Sequence, residues 1–279
     1  MKTSISTAAR VLPFLAIFSS LLMYACSSNP YKKTNKLHDK YVKSYVKILE
    51  DRDIPDSLGI NYAADWVGAT NFGIRKPNIV VIHHTAQKSC EQTLETFTTQ
   101  RTKVSSHYVI CENGTVHHML NDYFRAQHAG IGKWGTINDV NSSSVGIEID
   151  NDGHEPFTEA QMQSLEKVLE HLKTKYNIPT ANFIGHSDLA PTRKVDPSVF
   201  FDWQRISEKG FGIWYDDTSA LEVPVGFNPI VGLKVLGYDV KDTAAVISTF
   251  KRKYLDIDQS TVLDEGDKKV LYSLFLKSL

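Results

Sequence analysis

At 279 residues the chain has room for more than one domain, since single hydrophobic cores stop growing at roughly 250 to 300 residues. Hydrophobic residues at 42% and charged residues at 23% exclude a mostly disordered chain, and 31 basic against 32 acidic residues exclude the basic surplus of a nucleic-acid binder. Three cysteines are too few for a disulfide-rich scaffold or a multi-cysteine zinc module.

Lys2 and Arg10 are the only charges before residue 32, and an apolar stretch from Val11 to Ala25 follows them. It is shorter than the roughly 20 apolar residues of a spanning helix and fits the core of a signal peptide. The stretch ends in Leu22-Met23-Tyr24-Ala25-Cys26, which resembles a bacterial lipoprotein processing site. That resemblance implies a signal peptide over 1–25 and lipid on Cys26. With Ser27 rather than Asp next, it also implies an outer-membrane lipoprotein facing the periplasm of a Gram-negative bacterium. A plain secretory signal or an uncleaved anchor is the alternative. Such a compartment permits a bridge between Cys90 and Cys111, and two separate buried thiols remain equally compatible with the sequence.

Residues 26–62 read as a polar tether with a short helix around Tyr41 to Leu49. Regular structure begins at Asn78-Ile79-Val80-Val81-Ile82-His83, the apolar β-branched run of a buried central strand. Ser89 and Gln92 cap a helix carrying Leu94 and Phe97. His107 to Cys111 forms a second strand, the turn Glu112-Asn113-Gly114 follows, and Thr115 to Leu120 is its hairpin partner. Val145 to Ile149 is a third strand. Thr158 with Gln161 caps a long helix with Met162, Leu165, Val168, Leu169, Leu172 and Tyr176 on one face, ended by Asn177 and Pro179. Asn182 to His186 is a last strand before a proline-containing loop. Strands alternating with helices, plus one hairpin, predict an α/β fold with a mixed central sheet flanked by helices over 63–216. Beyond the Pro224, Gly226, Pro229 cluster, 225–279 reads as a small all-α bundle, with helices after Asp242 and Asp267.

Strand alternation puts Ile79, Val81 and His83 on one face and Val80, Ile82 and His84 on the other. His83 and His186 thus stand at the carboxyl ends of buried strands, where open α/β sheets place ligands. Asp196 follows ten residues after His186. Glu148 lies among aliphatics on a central strand, where a carboxylate is costly to bury without a cationic or catalytic reason. Two histidines and one carboxylate suit a catalytic zinc that keeps a fourth position open, although strand-terminal histidines are commonly just satisfied polar residues. His84 is expected to pack on the opposite face, and His107, His117 and His118 to be partly solvated hairpin side chains. Trp134 and Asn141 are expected to anchor a loop, and His38, His154 and His171 to lie at the surface.

Ile79-Val80-Val81-Ile82-His83-His84-Thr85-Ala86 resembles the opening strand of the type 2 family of zinc-dependent N-acetylmuramoyl-L-alanine amidases. Ser106-His107-Tyr108-Val109 is similar to its second strand and Ala126-Gln127-His128-Ala129-Gly130 to its Ala-Trp-His-Ala-Gly segment. Val145 to Asn151 and Gly185-His186-Ser187-Asp188-Leu189-Ala190-Pro191-Thr192-Arg193-Lys194-Val195-Asp196-Pro197 complete the set. The similarity spans about residues 75–206 and is most specific in the last block. It implies His83, His186 and Asp196 as Zn2+ ligands, Glu148 as acid/base, Lys194 as electrostatic helper and His128 as a substrate-pocket residue. The implied reaction cuts the amide between N-acetylmuramic acid and L-alanine in peptidoglycan or muropeptides. Residues 225–279 resemble, more weakly, the peptidoglycan-binding module of the lipid-anchored outer-membrane members. The implied partners are peptidoglycan or muropeptides, and a membrane through the N-terminal lipid; a monomer is expected. The chain departs from the pattern at Gln127 in place of Trp, Ser198 in place of Gly and Asp202 in place of Pro. Ser106 stands where some members use a catalytic Tyr. The alternative reading is a non-catalytic peptidoglycan-recognition module on the same fold; retention of His83, His186, Asp196, Glu148 and Lys194 favours catalysis.

Overall fold

The computed structural model describes residues 36, 40, 43–44, 46–50, 59–71, 73–74, 77–257 and 260–279. Met1–Asp51 and Arg52–Leu279 are separate units. In the first, the described residues are helical, in line with the short helix expected near Leu49. The signal peptide, Cys26 and His38 lie outside the described residues. Among the described residues no helix is long and apolar enough to cross a membrane.

In chain order the second unit contains β1 (Gly73–Ile74), β2 (Ile79–His84), α1 (Cys90–Thr98), β3 (Tyr108–Ile110), β4 (Val116–His118), β5 (Phe124–Arg125) and β6 (Ser144–Ile149). Then come α2 (Glu159–Tyr176), β7 (Phe183–Gly185), α3 (His186–Leu189), α4 (Trp203–Glu208), α5 (Pro229–Leu236), α6 (Thr243–Leu255) and α7 (Glu265–Lys277). Every residue of β2 is buried, the pattern expected of a strand covered on both faces. The main sheet runs β4-β3-β6-β2-β7, with β3, β6, β2 and β7 parallel and β4 closing an antiparallel hairpin on β3. β1 and β5, a pair too short for sequence periodicity to register, form a separate antiparallel ribbon. The mixed sheet flanked by helices agrees with the sequence expectation.

Alternation decides what each face meets. Val80, Ile82, Val145, Ile147 and Ile149 pack beneath the apolar stripe of α2 and against Phe201, Trp203 and Ile206 around α4. On the other face, Ile79 and Val81 share one apolar cluster with Leu233, Leu236, Val246, Phe250, Leu271 and Leu274 of α5 to α7. The C-terminal helices therefore bury their stripes against the sheet itself. At the other end of that face Val109 packs with Cys90 and Phe97 of α1, where Cys90 and Cys111 are joined in a disulfide.

Local caps set the boundaries. Thr158 and Gln161 make a full capping box, and α2 ends at Asn177 in the left-handed conformation. The hairpin strands are shorter than expected, Tyr108–Ile110 and Val116–His118, and two further shifts have a visible cause. α7 starts earlier than its apolar pattern suggests, because Asp264 is the cap and Asp267 the third helical residue closing the box. β7 stops at Gly185, and His186 opens the short α3, since Asp188 accepts the Gly185 N–H and turns the chain out of the sheet.

Candidate metal centre

Parallel pairing sets His83 of β2 beside Glu148 of β6, with Val109 of β3 next in line, so the three share a face. That face is covered at one end by α1 and at the other by the C-terminal helices. His186 enters from the start of α3, and Asp196 from the loop that follows, tied back by the Ser187 N–H to Asp196 carbonyl hydrogen bond of 2.9 Å. The sequence-predicted residues His83, Glu148, His186, Lys194, Asp196 and His128 all line one cavity, with Gln127 in its wall.

Three donor atoms meet there. His83 Nδ1 and His186 Nδ1 are 2.9 Å apart, and each is 3.0 Å from Asp196 Oδ2. The rings' other nitrogens fix which atoms carry protons, and we assign the tautomers from this network. His186 Nε2 lies 2.9 Å from the Ala129 carbonyl, which can only accept, so the proton is on Nε2 and Nδ1 is bare. A longer chain fixes His83. Ser144 gives its hydroxyl proton to the Val140 carbonyl at 2.7 Å and so accepts from His128 Nε2 at 3.0 Å. His128 Nδ1 is then an acceptor for His83 Nε2 at 3.0 Å, which leaves His83 Nδ1 bare as well. Burial, with the neighbouring His186 adding to it, pushes the His83 pKa down to about 4 against the pull of Asp196, so the ring is neutral at pH 7.

Two imidazole lone pairs and a carboxylate oxygen thus face one point in a buried site. Acceptors facing acceptors repel unless a cation sits among them. The set suits zinc: two neutral nitrogens, one anionic oxygen, and mutual separations close to the roughly 3.3 Å that tetrahedral bonds of about 2.0–2.1 Å produce. Cys90, Cys111 and His117 form a second such grouping among the described residues, but its sulfurs are spent in the disulfide.

Glu148 Oε1 stands 3.9 Å from His83 Nδ1, with its side chain 12% exposed. Burial holds this carboxyl well above the usual carboxylate range; the Asp196 charge adds to the effect and Lys194 opposes it. A cation at the donor triangle acts in the same direction as Lys194, toward the ionised form.

Asn141 Oδ1 accepts the His128 and Ala129 N–H groups, and Trp134 packs edge-on against Tyr238, so both anchor the loop. His84 accepts the Ser198 N–H. His117 and His118 are half-buried, as expected, but His107 is not solvated. It is fully buried, accepting from Gly146 N–H and donating to the Phe124 carbonyl. Ser106 donates to the Gly146 carbonyl and is fully buried. The support from Ser144 was missed, because a serine opening a strand carries no pattern.

The family model described as N-acetylmuramoyl-L-alanine amidase matches residues 74–199. The chain is 32% identical over 188 residues to N-acetylmuramoyl-L-alanine amidase AmiD of Escherichia coli K12, covering 58% of this chain and 67% of that protein. It belongs to the N-acetylmuramoyl-L-alanine amidase family. A 1,6-anhydro-N-acetylmuramyl-L-alanine amidase, AmpD of Haemophilus influenzae, is 36% identical over 104 residues, 37% of this chain and 56% of its own. Among solved structures, the complex of E. coli AmiD with anhydro-N-acetylmuramic acid-L-Ala-D-γ-Glu-L-Lys superposes with a TM-score of 0.64 at 28% identity. It covers 74% of this chain and 91% of that one. AmpDh3 of Pseudomonas aeruginosa, at TM-score 0.67 and 23% identity over 73% of this chain and 93% of its own, shares the fold.

In this amidase Gly146 is the residue that leaves room for the His128 ring: a Cβ there would stand 2.4 Å from His128 Cγ. Gly146→Ala should displace His128, remove the partner of His83 Nε2 and lower zinc affinity about tenfold or more with the far-UV spectrum intact. Chelator competition reads this out, and wild-type affinity in the variant would break the proposed proton chain.

Proposed function

We propose that this amidase hydrolyses the amide bond joining the lactyl group of N-acetylmuramic acid to L-alanine, in peptidoglycan or its soluble fragments, with zinc held by His83, His186 and Asp196. The observation that carries the reading is the convergence of three unprotonated donors beside a half-buried glutamate at the wall of an open cavity. When bound, zinc would supply a Lewis acid for the substrate carbonyl and make water a stronger acid near neutral pH.

The chain's own residues supply the rest. Glu148 faces the donor triangle across one strand spacing, positioned to take the proton of the attacking water and return it to the departing amino group of L-alanine. Lys194, half-buried in the cavity wall two residues before Asp196, presents a positive charge where oxyanion character grows on the carbonyl. His128 orients His83 through its hydrogen bond, and its exposed edge contributes to the substrate wall with Gln127. Keeping His83 neutral and Asp196 ionised makes the ligand set competent without a proton having to leave first.

The wider setting follows from the sequence. Processing before Cys26, lipid on that residue and a tether over 26–62 would hold the amidase domain 63–216 at the outer membrane facing the periplasm. The segment 225–279 would then add contacts to peptidoglycan, with the enzyme acting as a monomer in wall turnover.

Mass spectrometry of muropeptide digests checks the reaction. Wild type should release free peptides with L-alanine at the amino terminus, and Glu148→Gln should slow that release by about 10²-fold or more. Intact muropeptides bound but never cut by the zinc-loaded wild type would make the protein a recognition module instead. Anchoring is tested separately: labelled palmitate should enter the protein in cells and be absent from Cys26→Ala, and equal labelling of both would exclude lipid at Cys26.

A further inference from the structure

Asp188 is two residues beyond His186 and has no exposed surface. One carboxylate oxygen accepts the Gly185 N–H at 2.8 Å and the Lys253 ammonium at 2.6 Å, and the other accepts the Tyr238 hydroxyl at 2.8 Å. Lys253 is itself buried, with its ammonium 4.1 Å from the centre of the Trp203 ring. Tyr238 follows α5 and Lys253 lies in α6, so both come from the C-terminal segment, whereas Gly185 is the peptide directly before a donor of the metal centre. The proposed chemistry uses neither of these two C-terminal groups.

A fully buried carboxylate is tolerated only when its charge is matched and its lone pairs are filled. Lys253 supplies the charge and Tyr238 a third hydrogen bond, while the aromatic face of Trp203 takes part of the cation's lost hydration. With these in place Asp188 can hold the Gly185 N–H, ending β7 and launching His186 at a fixed angle. Gly185 fits closely here: a Cβ would meet Pro197 Cδ at 2.9 Å and Trp203 at 3.1 Å. The same turn carries the Ser187 N–H that binds the Asp196 carbonyl, so two of the three donors hang from one backbone corner.

We propose that Lys253 and Tyr238 are positioning residues of the metal centre, acting through Asp188 to fix the corner that aims His186 and Asp196. The C-terminal helices are on this view part of the catalytic apparatus as well as a cover for the sheet. The inference rests on the zinc reading above.

Full-length Lys253→Met, Lys253→Arg, Tyr238→Phe and Phe250→Ala test it, each measured for zinc affinity by chelator competition, for kcat and KM on muropeptide, and for melting temperature. Phe250 is a fully buried residue of the same helix with no role at Asp188 and controls for plain loss of stability. Lys253→Met should bind zinc about tenfold more weakly and lose kcat with KM within twofold, and Lys253→Arg should recover most of both. Tyr238→Phe, which removes one oxygen, should show the same pattern more mildly and carries the test if Lys253→Met does not fold. Phe250→Ala should lower the melting temperature and leave zinc affinity at the wild-type value. The proposal is overturned if Lys253→Met or Tyr238→Phe keeps zinc affinity within twofold of wild type, or if Phe250→Ala weakens it as much. A wild type that neither binds zinc nor cuts muropeptide overturns the underlying function instead.

Discussion

Three lone pairs aimed at one another inside a folded protein are unstable unless something positive joins them, and the organisation of this molecule follows from keeping them so aimed. The carbonyl of Ala129 holds the His186 proton on its far nitrogen, and the Val140, Ser144, His128 series does the same for His83. Neither ring is free to turn its protonated edge inward to relieve the repulsion. Both proton chains end on carbonyls of the 129–141 loop, those of Ala129 and Val140, and Asn141 ties that loop down by accepting the His128 and Ala129 N–H groups. A metal site of this kind is prepared by the groups behind the ligands as much as by the ligands.

Support also comes from outside the sheet. Ile79 and Val81 precede His83 on its own face and pack into the cluster that α5 to α7 complete. Removal of those helices would uncover the apolar side of the strand that carries His83 and strip Asp188 of its cation. The C-terminal segment thus has a structural reason to exist that is independent of any contact it makes with a wall polymer. The long helix α2 has the complementary task on the opposite face, where aliphatics of β6 and β2 are sealed away from water.

Much of this was legible in the residue order because it depends on short-range pattern. The β-branched run ending in His83 declares a buried strand, alternation assigns His83 and Glu148 to faces, and Thr158 with Gln161 marks the start of α2 without ambiguity. The ligand set was reachable because Asp196 follows His186 by only ten residues and the block between them is so distinctive. What escaped depends on pairings that no local pattern encodes. Lys253 reaches Asp188 across 65 positions and reads in sequence as one more solvated lysine of an amphipathic helix. Ser144 and His107 gain their roles from which strand lies alongside: the Gly146 N–H opposite His107 fills its acceptor nitrogen, and the His128 ring stands edge-on to it. Asp267 reads in sequence as the residue that opens its helix because an aspartate three residues into a helix and one at its start look alike until the backbone shows which accepts from which.

Zinc-edge X-ray absorption of the zinc-loaded, full-length protein examines most directly whether two imidazoles and a carboxylate hold a single ion. The expected spectrum has a nearest shell of nitrogen and oxygen at about 2.0–2.1 Å with the outer-shell scattering of two imidazole rings. A sulfur shell at about 2.3 Å, or a shell without imidazole, would contradict it.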